Sequence, residues 1–242
     1  MIAKVMTYNI QSCLDYISRK IGTQKKLADF IRAQTPDVVV LNEVHDLGPS
    51  DQYTAQAQDI ANLLGWNACF AKAIEIPGVG PYGNAILSPH PIEHFSVTPV
   101  PLQPLQEGEM EEGYREARCI LRAEITKEGK TLAVYGSHFG LTPGEQTYVV
   151  SLACALLDRE TKPHVFMGDF NMEPDDPKLA PIYERMTDTA CTFEVSKLSF
   201  PSDTPKIKID YIFASRDTKV RYADIPSTVI SDHRPYIAEI EY

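Results

Sequence analysis

The sequence predicts an α/β protein in which two β-sheets pack against each other and carry helices on their outer faces. The first observation is that predicted hairpins are mixed with strand–helix–strand units, a combination that favours this layered arrangement. The second is that neither a fixed-period repeat nor a linker-like change of composition interrupts the 242 residues. We therefore expect a single domain over residues 1–242.

The elements of the first half follow from apolar patterning and from the residues that end each run. Residues 2–10 alternate as a first strand, and residues 20–34 carry apolar side chains at helical spacing. Pro36 ends that helix, and Gly65 closes a second one. The predicted elements are a strand over 2–10, a helix over 20–34, a buried strand over 37–41, a helix over 51–64, and strands over 67–74, 84–88 and 92–98.

The second half is predicted to contain a hairpin, a long helix and the last strands. A Glu128-Gly129 turn joins the two strands of the hairpin. Between the halves, residues 99–113 are rich in proline and glutamate; a solvated loop is the default expectation for them, and a lid beside a functional site is the alternative. The predicted elements are strands over 118–125 and 132–138, a helix over 144–159, a strand ending at Asp169, helical turns near 181–185, and strands over 208–215, 219–223 and 236–242.

Composition and charge narrow the class of protein. The hydrophobic content of 43% and charged content of 23% are ordinary for a soluble enzyme. No apolar run approaches 18 residues, so we expect no transmembrane helix, and the first residues become polar too early for a signal-peptide core. Five cysteines in apolar surroundings, without a CxxC pair, indicate reduced core thiols in a cytoplasmic protein. We also expect the protein to be a monomer. The net charge of −10 counts against duplex nucleic acid as a partner, but not against one small phosphate ester.

The segment Met167-Gly168-Asp169-Phe170-Asn171 is the first candidate for function. A short apolar run ends there in a glycine turn, which presents a carboxylate and a carboxamide two residues apart. Alternation along extended chain points Asp169 and Asn171 the same way and turns Phe170 into the core. A Gly-Asp pair on its own indicates only a turn. The rest of the chain, however, places similar polar groups at other strand ends.

Those polar groups together suit metal-assisted phosphoryl chemistry. Mg²⁺ or Mn²⁺ takes oxygen ligands, which Glu43 and Asp232 could supply as carboxylates and Asn9 as a neutral oxygen. Asp169 and Asn171 suit the positioning of a water. Two histidines suit the phosphate oxygens, and Asp210 could pair with one of them. The candidates are Asn9, Glu43, His138, Asp169, Asn171, Asp210, Asp232 and His233.

Seven motifs in order give the chain a resemblance to the endonuclease/exonuclease/phosphatase superfamily, which is deoxyribonuclease-I-like. They cover nearly the whole chain. The motifs are Thr7-Tyr8-Asn9, Leu41-Asn42-Glu43-Val44, Tyr82-Gly83-Asn84-Ala85-Ile86-Leu87, Gly136-Ser137-His138, Gly168-Asp169-Phe170-Asn171, Ile209-Asp210-Tyr211-Ile212-Phe213 and Ser231-Asp232-His233-Arg234-Pro235.

The resemblance implies a four-layer α/β sandwich and metal-dependent hydrolysis of phosphoesters. It makes Glu43 the principal metal ligand, assisted by Asn9 and Asp232, and it gives Asp169 and Asn171 the water. It also implies that His233 contacts the scissile phosphate, with Asp210 behind it and His138 as a second phosphate-side group. By looser matches it implies that Arg118 and Asn84 bind substrate.

Departures from the repair nucleases of the superfamily bear on the substrate. Those enzymes carry Gln-Glu followed by a lysine, where this chain has Asn42-Glu43-Val44-His45. The sequence around Leu198-Ser199-Phe200-Pro201 resembles instead the small bacterial metal-dependent hydrolases. We therefore expect a Mg²⁺- or Mn²⁺-dependent phosphoesterase acting on a small phosphodiester or phosphomonoester. The alternatives are a nuclease acting on DNA or RNA and a non-catalytic ligand-binding member of the fold.

Overall fold

The computed structural model describes residues 1–105 and 115–242, and within them the strands form two sheets of six. The first sheet has the order β11-β12-β1-β2-β4-β3. Its strands are β1 (Ile2–Asn9), β2 (Val38–His45), β3 (Asn67–Ile76), β4 (Gly80–Ser88), β11 (Lys219–Asp224) and β12 (Tyr236–Glu241).

The second sheet has the order β5-β6-β7-β8-β10-β9. Its strands are β5 (Ile92–Val100), β6 (Arg118–Lys127), β7 (Lys130–His138), β8 (His164–Asp169), β9 (Met186–Asp188) and β10 (Asp210–Ser215).

One parallel pair of strands lies at the centre of each sheet. β1 pairs with β2 in the first sheet and β7 with β8 in the second, whereas every other pairing is antiparallel. A parallel pair needs a crossover connection, which helices supply here. The helices of the described chain are α1 (Gln24–Gln34), between β1 and β2, then α2 (Gln56–Leu64), α3 (Pro143–Leu157), between β7 and β8, and α4 (Ala180–Arg185).

Three apolar clusters hold the layers together. The central cluster fills the space between the sheets, with Val5 and Val40 from one side and Val134 and Met167 from the other. A second cluster packs α1 and α2 on the first sheet, and a third packs α3 and α4 on the second. The observed layering is therefore helices, sheet, sheet, helices, and the predicted four-layer sandwich is confirmed.

The sheets approach each other most closely where β7 carries a glycine. A Cβ atom placed on Gly136 would lie 2.7 Å from the Cγ1 atom of Val40 in the facing sheet, well inside van der Waals contact. Glycine at this position allows the two central parallel pairs to come together just below their carboxyl-terminal ends.

The first strand is paired on both sides, by β2 and by β12. β1 and β12 run antiparallel, with Ile2 opposite Glu241 and Thr7 opposite Tyr236. Strands from the two ends of the chain thus share one ladder. Since β12 follows the segment of Asp232 and His233, this ladder also fixes those side chains relative to Asn9 at the end of β1.

The predicted elements are present, and the differences lie at their ends. α1 begins at Gln24 instead of residue 20 and α2 at Gln56 instead of residue 51, whereas β4 begins at Gly80, four residues before the predicted start at 84. The short β9 strand was not predicted from the sequence. Pro99 belongs to the edge strand β5 and not to the predicted loop, since an edge strand tolerates a residue without an N–H.

Several sequence expectations concern loops, thiols and membranes. Residues 106–113 of the proposed 99–113 loop or lid lie outside the described residues. All five cysteines are free; four are buried, but Cys191 is exposed, contrary to the expectation of a core thiol. Among the described residues, none of the helices has the length and apolar character that crossing a bilayer requires.

Candidate active site

The central strands of both sheets deliver polar side chains to one edge of the sandwich. β1 ends at Asn9 and β2 carries Glu43 near its end, while β7 ends at His138 and β8 at Asp169. Within the second sheet, Asp169 is in register with His138 on one side and with Asp210 on the other. The parallel pairing in both sheets is the reason that these ends coincide.

A cavity of about 540 Å³ opens at this edge. Its lining combines charged and polar side chains with apolar ones. The residues that line it are Ser12, Glu43, His45, Ile76, Tyr82, Glu116, Arg118, His138, Leu141, Asp169, Asn171, Phe200, Ile207, Ile209, Asp232 and His233.

Glu43 reaches the cavity through an irregularity in β2. The pairing with β4 shifts register between Leu41 and Val44, and Glu43 has a φ of 57°. A left-handed conformation in a non-glycine residue is strained, and it occurs often at functional sites. The bulge turns the Glu43 carboxylate toward the cavity, where Oε1 accepts a hydrogen bond of 2.9 Å from the side-chain amide of Asn9.

Asp169 is 1% exposed and is bonded through both of its oxygens. Oδ1 accepts from the backbone N–H of Asn171 at 3.0 Å, and Oδ2 accepts from the Asn9 amide at 3.1 Å. Gly168 just before it has a φ of 148°, and a Cβ there would lie 1.8 Å from the Ser137 carbonyl oxygen, so the turn requires glycine. Burial raises the pKa of Asp169 to about 7, although His233 acts in the opposite direction.

His233 forms a buried ion pair with Asp210. Its Nδ1 donates to Asp210 Oδ2 at 2.9 Å, and its Nε2 lies 3.5 Å from Asp169 Oδ2. Burial opposes protonation of the imidazole, but the carboxylates of Asp210 and Asp169 outweigh it and raise the pKa of His233 to about 10. The ring is therefore an imidazolium at neutral pH. Its other neighbour is the Phe200 ring, at a centroid distance of 4.8 Å.

His138 has the opposite charge state. Burial and the cations Arg118 and His233 hold its pKa well below the usual value. Its Nδ1 lies 3.1 Å from the Arg118 guanidinium, which can only donate, and its Nε2 faces a second donor, the side-chain N–H of Asn171. That Nε2 lies 3.5 Å from Asp169 Oδ2 and 3.1 Å from the side-chain amide of Asn171.

Two further carboxylates complete the donor set proposed for a metal. Asp232 lines the cavity with Glu43, and burial raises the pKa of both. Asp232 accepts a hydrogen bond of 2.6 Å from Gln11, whose backbone N–H donates to the Asn9 side-chain oxygen at 3.0 Å. Nearby, Asp169, Asp210 and His233 also bring ligand atoms within 4.8 Å of one another, but the His233–Asp210 hydrogen bond already occupies two of those groups.

Asn84 lies elsewhere than expected for a residue that binds substrate. It is buried, accepts a hydrogen bond of 2.7 Å from Asn42, and donates one of 3.3 Å to the Cys119 carbonyl. Asn42 in turn accepts from the backbone N–H of Asp169 at 3.0 Å. Asn84 therefore lies behind the cavity and supports the position of Asp169 through Asn42. The other nine predicted site residues meet at the carboxyl-terminal edge.

Some residues of the site were not among the site residues predicted from the sequence. Gln11, Asn42 and Glu116 contact site residues in the structure, with Glu116 accepting a hydrogen bond from Arg118. Asn42 lies within a motif, and Gln11 and Glu116 are each two residues from a predicted site residue, so position in the sequence was the available indication. Tyr82 and Phe200 come from segments whose approach to the cavity depends on tertiary packing.

Comparison with known proteins agrees with this architecture. Residues 6–233 match the family model described as the Endonuclease/Exonuclease/phosphatase family. An uncharacterized Escherichia coli protein, YbhP, is 24% identical over 98% of this chain and 95% of its own length.

Two solved structures are similar in fold. An endonuclease/exonuclease/phosphatase from Bacteroides vulgatus has a TM-score of 0.79 at 19% identity, covering 100% of this chain and 99% of its own. A mannosyl-6-phosphatase from Bacteroides thetaiotaomicron has a TM-score of 0.77 at 13% identity, covering 99% of this chain and 100% of its own. The family match over nearly the whole chain, together with this shared fold, establishes that the protein belongs to the endonuclease/exonuclease/phosphatase family of phosphoester hydrolases.

Proposed function

We propose that the protein hydrolyses a small phosphodiester or phosphomonoester with Mg²⁺ or Mn²⁺, using water aligned by Asp169 and Asn171. One observation carries the proposal: Asp169 is held beside a His233 imidazolium paired with Asp210, in the same cavity as Glu43. A proton acceptor next to a fixed cation is what attack of water on a phosphate requires.

The donor set fits a hard divalent cation. Glu43 and Asp232 are carboxylates in one cavity, and in the described chain neither forms a salt bridge. Their raised pKa values show that burial opposes their charged forms, a cost that a cation would offset. The Asn9 amide nitrogen donates to both Glu43 and Asp169, and its oxygen, which accepts from the Gln11 N–H, is the atom that it would offer to a metal. Bound there, the cation would supply positive charge to the phosphate oxygens.

The protein side chains then have separate tasks. Asp169, with a pKa near neutral, accepts a proton from the attacking water. The Asn171 side chain helps to orient that water beside it. The His233 imidazolium donates to a phosphate oxygen, while Asp210 keeps it charged. Arg118 and neutral His138 face the phosphate from the second sheet.

A panel of phosphomonoesters, phosphodiesters, lipid headgroup esters and oligonucleotides tests the proposal. Each is assayed with Mg²⁺, with Mn²⁺ and with chelator, on the wild type and on Asp169→Asn. We expect metal-dependent hydrolysis of a small ester and a kcat roughly 10²- to 10⁴-fold lower in the variant, because a positioned acid–base group acts mainly in the transition state. The matched control is Asp217→Asn, at an exposed aspartate in the turn after β10.

A second variant, His233→Ala, distinguishes a phosphate contact from the proton acceptor. His233→Ala should lower kcat and also weaken substrate binding, because a phosphate contact acts in both the ground and transition states. Wild-type turnover in Asp169→Asn on the best substrate would refute the mechanism. Metal and ligand binding without hydrolysis would identify a non-catalytic member of the fold. A steep loss of activity with salt on oligonucleotides would favour the nuclease.

A further inference from the structure

A second cavity of about 500 Å³ lies beside the catalytic one and differs from it in charge. Arg19 and Lys20 line it together with Gln11, Ser12 and Tyr53. The catalytic cavity, in contrast, contains the carboxylates of Glu43, Glu116, Asp169 and Asp232.

The two cavities share a wall. Ser12 lines both of them. Tyr53, on the side of the second cavity, stacks on His45, on the side of the catalytic one, with centroids 3.7 Å apart and planes inclined by 10°. His45 is 4% exposed, and its Nδ1 has no hydrogen-bond partner within the described residues. The two cavities therefore adjoin at Ser12, with the stacked Tyr53 and His45 rings between them.

The two cations are available to a ligand. Arg19 and Lys20 are exposed, and no ion pair of theirs occurs within residues 1–105 and 115–242. Asp15 is the one carboxylate of the segment 10–23, and it pairs with Lys26 instead. Unpaired cations grouped in a concave site are notable in a chain of net charge −10.

The segment that carries them has a defined backbone. The Asp15 N–H donates to the Lys20 carbonyl at 2.8 Å, and the Arg19 N–H donates to the Asp15 carbonyl at 2.9 Å. Gln56 ties the segment to α2 by donating to the Ser12 carbonyl at 2.7 Å. The cations thus project from a folded loop whose start, at Gln11, contacts Asp232 of the catalytic cavity.

We propose that this cavity is a subsite for a second anionic group of the substrate, a phosphate or a carboxylate, held by Arg19 and Lys20 while the scissile phosphate occupies the catalytic cavity. The inference rests on the proposed function and narrows its substrate class to esters with two anionic groups. Charge-assisted hydrogen bonds from arginine and lysine are the strongest that side chains offer to such groups. The positive charges of Arg19 and Lys20 would also attract an anion to this side of the catalytic cavity, whose own carboxylates repel it.

The test compares ligands that differ in one anionic group. Glucose 1,6-bisphosphate is compared with glucose 6-phosphate, and 3-phosphoglycerate with glycerol 3-phosphate, so that a phosphate and a carboxylate are examined separately as the second anionic group. Binding is measured by calorimetry at fixed Mg²⁺ and constant ionic strength, alongside hydrolysis. The proteins are the wild type, Arg19→Gln/Lys20→Gln, and a control, Arg159→Gln/Lys130→Gln, which removes exposed cations at the opposite edge of the sandwich.

We expect the wild type and the control to bind at least one doubly anionic ligand about tenfold more tightly than its singly anionic counterpart. Arg19→Gln/Lys20→Gln should lose that preference while its affinity for the singly anionic ligand stays unchanged. Equal affinity for both members of each pair in the wild type would overturn the subsite. An equal loss of the preference for doubly anionic ligands in the two double variants would overturn it as well. If the protein hydrolyses a phosphoester but does not prefer doubly anionic ligands, only the subsite is refuted. If it prefers doubly anionic ligands but hydrolyses none of the esters, only the proposed function is refuted.

Discussion

At the residue scale, Asp169 and His233 are neighbouring side chains whose pKa values are raised by different causes. Burial makes the Asp169 carboxylate a better proton acceptor than an exposed aspartate. Two carboxylates keep His233 cationic despite burial. The same fold therefore places a base and a fixed cation within 3.5 Å of each other.

These two groups predict how the stability of the metal-free protein depends on pH. The pKa of His233 is raised from 6.5 to about 10, so its stabilisation is complete below about pH 6.5 and is lost as the pH rises through 10. The pKa of Asp169 is raised from 3.8 to about 7, so stability falls as the pH rises from 3.8 to 7, the range in which the carboxyl is ionised mainly in the unfolded chain. Both effects have the same sign, and we expect Tm in chelator to fall steadily between pH 6.5 and 10.

Thermal unfolding of His233→Asn checks this prediction. The variant should lose most of the slope between pH 7 and 10, because the imidazolium is absent. His94→Asn is the matched control, since His94 is an exposed histidine of β5 and asparagine tolerates its φ of 48°. A slope equal to that of the wild type in His233→Asn would show that another group governs this range.

The motif residues of the site could be predicted from the sequence, but the contacts of their side chains could not. Asn9, Glu43, Asp169 and His233 were predictable because each lies in a short motif at a strand end. Glu116 was not, since its role depends on contact with Arg118 at the cavity wall. The positions of the motif residues in the chain are local information, whereas the partners of each side chain depend on tertiary packing.

At the element scale, the bulge in β2 gives a prediction about strain. A left-handed conformation costs a residue with a Cβ about 1–2 kcal/mol, whereas glycine adopts it freely. Glu43→Ala and Glu43→Gly both remove the carboxylate, but only glycine relieves the φ of 57°. We expect Glu43→Gly to be more stable than Glu43→Ala by roughly 0.5 kcal/mol or more in urea unfolding, after allowance for the entropy of the unfolded glycine chain. The reverse order would mean that the bulge is unstrained.

The contact between the sheets gives a second prediction at this scale. Gly136→Ala should destabilise the protein by roughly 1–3 kcal/mol, because its Cβ would overlap Val40. Val40→Ala should also destabilise it, by leaving a cavity. In the double variant the new methyl enters the vacated space, so the combined loss should be smaller than the sum by about 1 kcal/mol. Additive losses in urea unfolding would show that the two residues are not in contact.

Element identity was predictable, but element ends were not. Apolar periodicity identified the strands and helices because it reflects which face is buried. The start of α2 at Gln56 depends on a tertiary contact, since the Gln56 side chain accepts from the backbone N–H of His45 at 2.8 Å. The three-residue strand β9 is too short to show a period, and it forms by pairing with β10.

At the scale of the whole molecule, the site is assembled from both sheets. Asn9 and Glu43 come from the first sheet, His138 and Asp169 from the second, and Asp232 with His233 from the segment before β12. A cation held by Glu43 and Asp232 would bind the folded chain only, since the unfolded chain does not bring these residues together. Metal binding and folding should therefore be linked.

This linkage predicts a thermal shift. Mg²⁺ at about 100 times its dissociation constant should raise Tm by roughly 5–10 °C relative to chelator. Glu43→Gln should fold normally but show a much smaller shift, and calorimetry should show weaker Mg²⁺ binding. The control is Glu194→Gln, at an exposed glutamate. Equal Mg²⁺ affinity in Glu43→Gln and the wild type would remove Glu43 from the ligand set.

The antiparallel pairing of β1 with β12 has a consequence during protein synthesis. β1 leaves the ribosome well before β12, which is its second neighbour, and at about 5–20 residues per second the delay between the two strands is on the order of tens of seconds. Until then β1 has an open edge that can pair with other nascent chains. Asp232 and His233 are made just before β12, so a truncated chain lacks them as well as the closing strand. The closed first sheet and the complete candidate site therefore both depend on synthesis of residues 232–241.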